Sequence, residues 1–500
     1  MENAIASGVG KKQLRLTIGR NSAQQSVHIS IAMECTVKPT DEQEEIISLA
    51  PAKENLQIVA YAGTGKTATL RMLAERLDGP ILYCAFNKRI IEEAEELKDF
   101  PGECRTLNSI GHRVWMRTIP GRVTIDAKKT YNIFKQVVKS YSKDDGKALW
   151  DAYSEIAEAV SLAKAAGYTP PGVYPQAKRL VGEEFWSTTS CQSSLERSCV
   201  DEILALSIRS AYEGGCDFDD QLYMPALFGG SFPRFPVVMV DEEQDLNAVN
   251  HEMMRKLIRG GRLISVGDPY QSIYGFRGAV QGGMGRNRER FRMESRTLSV
   301  SFRCPSEIVR NVRWRVPEFK WNRIGGRVET LHSLGHGTIH DGSAIICRNN
   351  APLFRLALGL LSSGRPCRVA GSDIGPKLVV TLKRLGDQVL SRSSVLSAIN
   401  DWLAKRSESK SAADMADCMR IFAASSRTLS EAIARAEFVL RQDGPITLIT
   451  GHKAKGLEWK TIYHLDPWLI GDSEQEQNLR YVIQTRTKEA YFEIDSKAII

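Results

Sequence analysis

The stretch Ile58-Val59-Ala60-Tyr61-Ala62-Gly63-Thr64-Gly65-Lys66-Thr67 carries the residue types that hold a polyphosphate. Gly63, Thr64 and Gly65 form a turn in which backbone N–H groups can curl around phosphate oxygens. Lys66 brings a positive charge to the β/γ region, and the Thr67 hydroxyl can hold Mg²⁺. Ala60 stands where such patterns usually begin with glycine, so this stretch alone leaves a ligand-free strand-turn-helix open. A second group, Asp241-Glu242-Glu243-Gln244-Asp245, ends an uninterrupted apolar run. Beside a phosphate loop, Asp241 would reach Mg²⁺ and Glu242 would orient or deprotonate a water. A third, Gly267 to Ala279, joins the Gln271 amide, suited to sensing a γ-phosphate, to Tyr274, Phe276 and Arg277. Two aromatic faces and a cation are what unpaired bases stack on.

These groups need strands that end at one edge of a sheet. Ile58–Ala60, Ile81–Phe86, Pro236–Val240 and Arg262–Gly267 read as buried strands, and a helical pattern from Ala68 to Leu77 follows the glycine turn. Pro39-Thr40-Asp41-Glu42-Gln43 opens a helix with Thr40 as N-cap. Gln43 either completes that capping box or presents its amide to adenine; the residues leave both open. The second strand ends in Phe86-Asn87-Lys88-Arg89, which suits either a single strand of nucleic acid or a solvated helix start. His112 reads as a structural or surface histidine rather than a catalyst. Residues 113–199 alternate amphipathic helix patterns with loops and carry no evident chemistry. Leu14 to Ile31 has the alternation of a short hairpin, in an extension (1–36) with no expected catalytic role. Arg310, Arg313, Trp314, Arg315, Phe319, Lys320, Trp321, Arg323 and Arg327 form a basic, aromatic stretch. It suits a nucleic-acid surface or a solvated helix with its rings in the core.

The chain has 500 residues, 42% of them hydrophobic, and a formal net charge of +8. That length accommodates two to four domains. A mild positive excess suits a nucleic-acid groove as well as many ordinary proteins. The 10 cysteines are scattered without metal spacing, which predicts reduced, buried thiols of a cytoplasmic or, in a eukaryote, nuclear protein. No apolar run reaches membrane-spanning length, and no signal peptide opens the chain.

With these stretches in place, the chain resembles the superfamily 1 DNA helicases of the UvrD/Rep/PcrA type. Gly267 to Ala279 is similar to that family's motif III almost residue for residue, and Asp241 to Asp245 to its motif II. The phosphate loop is similar to the family's Ala-x-x-Gly-x-Gly-Lys-Thr version, which accounts for Ala60. Gln43 then matches the Q motif. Leu298-Ser299-Val300-Ser301-Phe302-Arg303 resembles motif IV. That match implies that Phe302, where the family usually has tyrosine, stacks on adenine and that Arg303 reaches the γ-phosphate. Ile446 to Trp459 resembles motif V, implying that Thr450 and His452 face the nucleic-acid strand and Glu458 approaches the ribose. Asn478 to Thr487 resembles motif VI, with Arg486 as a second arginine finger. Phe86 and Asn87 fall in motif Ia, the aromatic one place later than usual. Thr106 and Asn108 fall in motif Ib, with Asn108 where histidine is common. The resemblance runs from about 37 to 492, and no nuclease-like carboxylate cluster is expected after it.

The resemblance implies an α/β protein with two RecA-like P-loop NTPase domains, each with a mainly parallel sheet and each interrupted by a helical insertion. The expected division is 37–112 with 200–297 around an insertion at 113–199, and 298–375 with 445–500 around a reduced insertion at 376–444. ATP with Mg²⁺ would lie between the domains. Lys66, Thr67, Asp241, Glu242 and Gln271 would come from one side, Arg303, Glu458 and Arg486 from the other. The implied activity is that of an ATP-dependent helicase or translocase moving 3′-to-5′ on single-stranded DNA, engaging duplex junctions in replication, repair or recombination. Replication or recombination proteins are the expected partners. The alternative is a translocase that removes bound proteins and unwinds poorly alone. A nucleic-acid-binding protein with a dead nucleotide site is disfavoured by the intact Lys66, Glu242 and both arginines.

Overall fold

The computed structural model describes residues 38–499 apart from 86–100, 175, 259, 276–277, 280–281, 371–373, 388, 405 and 407–409. The hairpin expected at 14–31 and the helix expected at 90–97 lie outside the described residues.

Two six-stranded sheets organise the chain. The first takes β1 (Leu56–Ala60), β2 (Ile81–Ala85), β3 (Glu103–Thr106), β4 (Val237–Val240), β5 (Arg262–Gly267) and β6 (Glu294–Leu298) in the order β3-β2-β4-β5-β1-β6. Every pairing in it is parallel. The second takes β7 (Arg327–Leu331), β8 (Ala344–Cys347), β9 (Cys367–Ala370), β10 (Ile446–Thr450), β11 (Trp459–Leu465) and β12 (Thr487–Ile494) in the order β7-β12-β11-β8-β10-β9, again all parallel. This is the mixed α/β architecture of two RecA-like units expected from the sequence.

The apolar runs explain which strands are central. β2, β4 and β5 are buried along their whole length. A strand covered on both faces needs a continuous apolar sequence rather than an alternating one. In β2 the pleat sends Ile81, Tyr83 and Ala85 against α1 (Asp41–Ser48) and α2 (Lys66–Ala74), in a core with Ile46, Leu70 and Leu73. Leu82 and Cys84 face the other way, with Ile110 and Val114 of α3 (Leu107–Met116). The outer strands β3 and β7 are more polar and exposed, as edges tolerate.

The two helical inserts differ in how they are held. Between β3 and β4, helices including α4 (Lys129–Val137), α5 (Tyr153–Ala166) and α6 (Ser194–Tyr212) enclose a core of their own around Phe134, Ile156, Val160, Tyr168 and Ile203. α6 spans position 200, and helix follows again at Asp220–Phe228. Between β9 and β10, the helices Ile374–Lys383, Arg392–Ala404, Lys410–Ala424 and Leu429–Leu440 contribute Leu378, Ile399, Phe422 and Ile433 to the same core as Ile345 and Leu448 of the second sheet and Phe354 of the helix Asn350–Ser362. In the basic aromatic stretch, Phe319 is buried, Trp314 is half-exposed, and Trp321 has the Arg310 and Arg313 guanidinium carbons 5.1 and 5.0 Å from its ring centroid. The stretch therefore combines one core ring with a surface arginine–tryptophan stack. All nine described cysteines are free. Among the described residues, no helix is long and apolar enough to cross a membrane.

Candidate active site

The order β4-β5-β1 brings three strand ends side by side, and each delivers one of the chemical groups read from the sequence. Ligands of open parallel sheets bind beyond the carboxyl ends of the strands. After β1 the chain turns through Gly63 (φ 71°) and Gly65 (φ 81°) into α2, whose N-terminus opens at Lys66. Gly63 has a second constraint: a Cβ there would lie 2.5 Å from the Cβ of Arg303. Glycine is needed both for the left-handed turn and for the close approach of the segment that carries Arg303. Thr64 is buried and folds its hydroxyl back onto the Tyr61 carbonyl at 2.8 Å.

Lys66 Nζ lies 2.8 Å from Glu242 Oε1 and 2.9 Å from Oε2. Thr67 Oγ1 is 3.2 Å from Asp241 Oδ2, which also accepts from the Tyr83 hydroxyl at 2.8 Å. A hydroxyl and a carboxylate at this separation are the hard oxygen donors that Mg²⁺ takes alongside waters and phosphate oxygens. Glu242 sits in the left-handed region at φ 54°, a conformation costing a non-glycine residue roughly 1–2 kcal/mol. Burial raises the Glu242 pKa, but Lys66, Lys455 and a hydrogen bond from the Gln244 amide outweigh it and bring the carboxyl down to about 2. It is therefore ionised at neutral pH, the state a water-orienting base needs. Asp241 is pushed up by burial and by the Glu242 charge beside it. A bound divalent cation would reverse that repulsion.

Across the cleft, Gln271 joins both sides. Its Nε2 donates to Asp268 Oδ2 at 2.7 Å and its Oε1 accepts from an Arg486 NH2 group at 2.9 Å. Arg486 is buried, and that burial together with the nearby Arg303 lowers its pKa to about 10. It stays charged at neutral pH. Arg303 Nε donates to Glu458 Oε2 at 2.7 Å, and Lys488 pairs with the other Glu458 oxygen. Phe302 is 41% exposed, and its Cε2 lies 3.8 Å from the point where a Gly65 Cβ would stand. Gln43 completes the capping box and takes a further partner on the phosphate-loop helix. Its Oε1 accepts from Thr40 N at 3.0 Å in the capping box, and its Nε2 donates to Thr69 Oγ1 at 2.9 Å. It thus ties α1 to α2 beside Gly65 and Phe302.

The residues assigned to a nucleic-acid strand are more dispersed. Phe86, Asn87, Phe276 and Arg277 lie outside the described residues. Tyr274 donates to the His452 carbonyl at 3.5 Å, and Lys455 Nζ lies 4.8 Å from its ring centroid, so the loop bearing Tyr274 meets the segment bearing His452. Thr450 is the buried N-cap position of the short helix bearing His452. Thr106 caps α3 by accepting from Ser109 N at 3.1 Å. Asn108 donates to the Phe218 carbonyl at 3.0 Å and to Gln221 Oε1 at 3.2 Å, which commits its amide to the first helical insert.

Several site residues carry no singled-out role in the motifs. Lys455 Nζ is buried against both Asp245 oxygens (2.6 and 2.7 Å) and the Gln271 carbonyl (2.6 Å). Tyr481 accepts from Ala62 N at 3.1 Å and donates to Asp268 at 3.3 Å. Tyr83 holds Asp241, and Lys488 holds Glu458. Lys455 sits within a matched motif, so its charge was a visible signal. Nothing in the sequence marks Tyr83 or Tyr481 as more than core aromatics.

A phosphate loop and strand-end carboxylates on one parallel sheet, facing arginines beside a second, define a protein of the RecA-like P-loop class. Residues 85–292 match the family model of the UvrD/REP helicase N-terminal domain. The chain is 25% identical over 517 residues to F-box DNA helicase 1 of Gallus gallus, covering 90% of this chain and 48% of that one. It is 25% identical over 521 residues to F-box DNA helicase protein 1 of Schizosaccharomyces pombe, covering 90% and 56%. DNA helicase II of Escherichia coli is 23% identical over 391 residues, covering 66% and 51%. The chain is similar to these helicases, in agreement with its motifs, and spans about half the length of these curated relatives.

Proposed function

We propose that this protein is an ATP-driven motor that moves 3′-to-5′ along single-stranded DNA and separates strands at duplex junctions. The observation that carries the reading is the composite cleft: Gln271 of the first sheet is hydrogen-bonded to Arg486 beside the second, with Lys66 and Glu242 paired nearby. The proposed units are 37–112 with 200–297 and 298–375 with 445–500, and a cytoplasmic or nuclear site of action goes with the activity.

Lys66 and the N–H groups around Gly63 and Gly65 would bind the triphosphate, with Phe302 and Gln43 on the base side and Glu458 toward the ribose. Thr67 and Asp241 would hold Mg²⁺, which supplies charge neutralisation at the phosphates. Glu242, already ionised, would orient the attacking water and take its proton. Arg303 and Arg486 would stabilise the charge that develops on the transferred phosphoryl group; such arginines are worth about 10³–10⁵ in rate. Arg303 must leave Glu458 to do so, with Lys488 remaining to neutralise that carboxylate. Because Arg486 and the phosphate loop belong to different sheets, the site is complete only when the sheets are drawn together, which couples hydrolysis to movement. Tyr274 and His452, with Phe86, Asn87, Thr106, Asn108, Phe276, Arg277 and Thr450, would convert that movement into grip on a strand.

The test is ATP hydrolysis with and without single-stranded DNA, in the native protein and in Lys66→Ala. Strong stimulation by DNA, abolished by the substitution, is expected. Hydrolysis indifferent to DNA would remove the strand-groove assignment, and no hydrolysis would remove the motor. A forked duplex then separates unwinding from translocation alone.

A further inference from the structure

Glu42 lies one residue before Gln43, in the first turn of α1, where an acid ordinarily serves the helix dipole. Here both carboxylate oxygens are directed to a segment far along the chain. Oε2 accepts from Ser299 N at 2.6 Å, Oε1 accepts from the Ser299 hydroxyl, and Lys320 Nζ lies 3.2 Å from Oε1. Ser299 is 4% exposed. It comes directly after β6, the last strand of the first sheet, and its carbonyl accepts from Lys320 N at 2.9 Å. The peptide groups of Ser299 are therefore fixed on both sides at the point where the chain leaves the first sheet for the second.

The segment just beyond Ser299 closes on the phosphate loop. Ser301 donates its hydroxyl to the Ala62 carbonyl at 2.9 Å, and Phe302 N donates to the Gly63 carbonyl at 2.8 Å. Arg303 comes next, with its Cβ against the backbone of Gly63. Residues 42 and 43 thus point two ways from one helical turn. Gln43 holds the phosphate-loop helix through Thr69, and Glu42 holds the crossover that delivers Phe302 and Arg303. Burial acts to raise the Glu42 pKa, but the Ser299 hydrogen bonds and Lys320 bring it below the usual carboxylate range, so the clamp is charged at neutral pH.

We infer that Glu42 is a positioning residue: it anchors the crossover at Ser299 so that Phe302 and Arg303 are presented to the nucleotide held by the phosphate loop. The inference rests on the motor reading above. It assigns Glu42 no contact with nucleotide; the residue acts through Ser299. Its loss should leave the phosphate loop itself intact but widen the range of positions that Phe302 and Arg303 sample. Both base stacking and transition-state contact would then weaken.

The experiment uses the full chain with Glu42→Ala, Glu42→Gln and, as a control for helix charge, Glu44→Ala. Glu44 lies exposed in the same turn. The measurements are steady-state ATP hydrolysis on single-stranded DNA, binding of a fluorescent ADP analogue, and thermal melting. Glu42→Ala should lower DNA-stimulated kcat about tenfold and raise KM for ATP severalfold, with an unchanged melting temperature. Glu42→Gln should recover much of kcat, since its amide oxygen still accepts from Ser299 N. Glu44→Ala should match the native protein. Adding Ser299→Ala to Glu42→Ala should cost little more than Glu42→Ala alone. Native stimulation together with equal kinetics in Glu42→Ala would overturn the inference while leaving the motor reading in place. Equal losses in Glu42→Ala and Glu44→Ala would also overturn it, since the effect would then be helix charge. Absence of stimulated hydrolysis in the native protein would instead remove the motor reading, and the ADP-analogue affinities would still test the clamp: an affinity unchanged by Glu42→Ala overturns it.

Discussion

Two buried clusters of lysines and carboxylates lie in the part of the chain that builds the first sheet and its insert, and only one has the makings of a site. In the helical insert, Lys129 Nζ is 2.6 Å from Asp220 Oδ2 and 2.8 Å from the Ser207 carbonyl. Lys164 Nζ is 2.6 Å from Asp217 Oδ2 and 2.8 Å from Asp220 Oδ1. Asp217 and Asp220 also accept from each other's backbone N–H at 2.9 Å. The side chains of Lys129, Lys164 and Asp220 are 4%, 1% and 1% exposed, and their charges answer one another. At the strand ends, by contrast, the Lys66 and Glu242 side chains are 13% and 21% exposed. They adjoin two left-handed glycines and a helix N-terminus, and they mix donors from several elements. Buried charge alone therefore does not mark function. A closed network fixes helices to one another; charge set beside an open helix N-terminus and strained backbone can exchange one partner for another.

The largest test of that contrast is Arg486→Ala. It should reduce DNA-stimulated hydrolysis about 10³-fold or more while leaving the urea-unfolding midpoint nearly unchanged; a rate within tenfold of native would place the arginine outside the chemistry. The converse is Lys164→Met. It strands Asp217, leaves Asp220 with Lys129 alone, and should cost about 3–5 kcal/mol of stability, read by urea unfolding, with kcat per folded molecule retained. If kcat fell and stability held, the two clusters would have been assigned the wrong way round.

A smaller effect concerns Glu243, which faces away from the cleft. Burial raises its pKa to about 7 despite hydrogen bonds from Asn287, Ser265 and Gln57. An acid whose folded pKa exceeds its unfolded value binds more protons when folded. Its contribution is favourable below about pH 4.5 and is lost as pH rises toward 7. The stability of the native protein relative to Glu243→Gln should therefore fall by a few kcal/mol across that window, as measured by urea unfolding at successive pH values. A flat difference would mean that Glu243 is ionised throughout. The smallest effect is expected for Phe302→Ala: a rise of about fivefold in KM for ATP, corresponding to about 1 kcal/mol of lost ring contact, with kcat within about twofold of native.

Legibility tracked the range of the interaction. The central strands were readable because a strand buried on both faces must be apolar throughout, as Val237–Val240 is. The Thr40–Gln43 box was readable because its partners lie three residues apart. The helical character of the insert was readable from periodicity, but its extent was less so: α6 runs on past position 200 because a continuous buried stripe from Cys199 to Ala211 packs on its neighbours. The basic aromatic stretch gave no decision. Whether an aromatic ring is core or surface depends on what packs against it, and Trp314 and Phe319 differ in that alone.

By itself, the sequence determined the turn of the phosphate loop, the acids after β4, the amide after β5 and the arginines of the second half. Each comes from residue type, spacing and local backbone preference. Only the tertiary structure decided that Gln271 meets Arg486, that Lys455 is buried against Asp245, that Tyr83 and Tyr481 hold the carboxylates, and that Glu42 grips Ser299. The partners in these pairs stand 158 residues or more apart along the chain. No local pattern encodes such a pairing. It is settled by which strands lie adjacent in the sheets and by how one sheet's loops close over the other's.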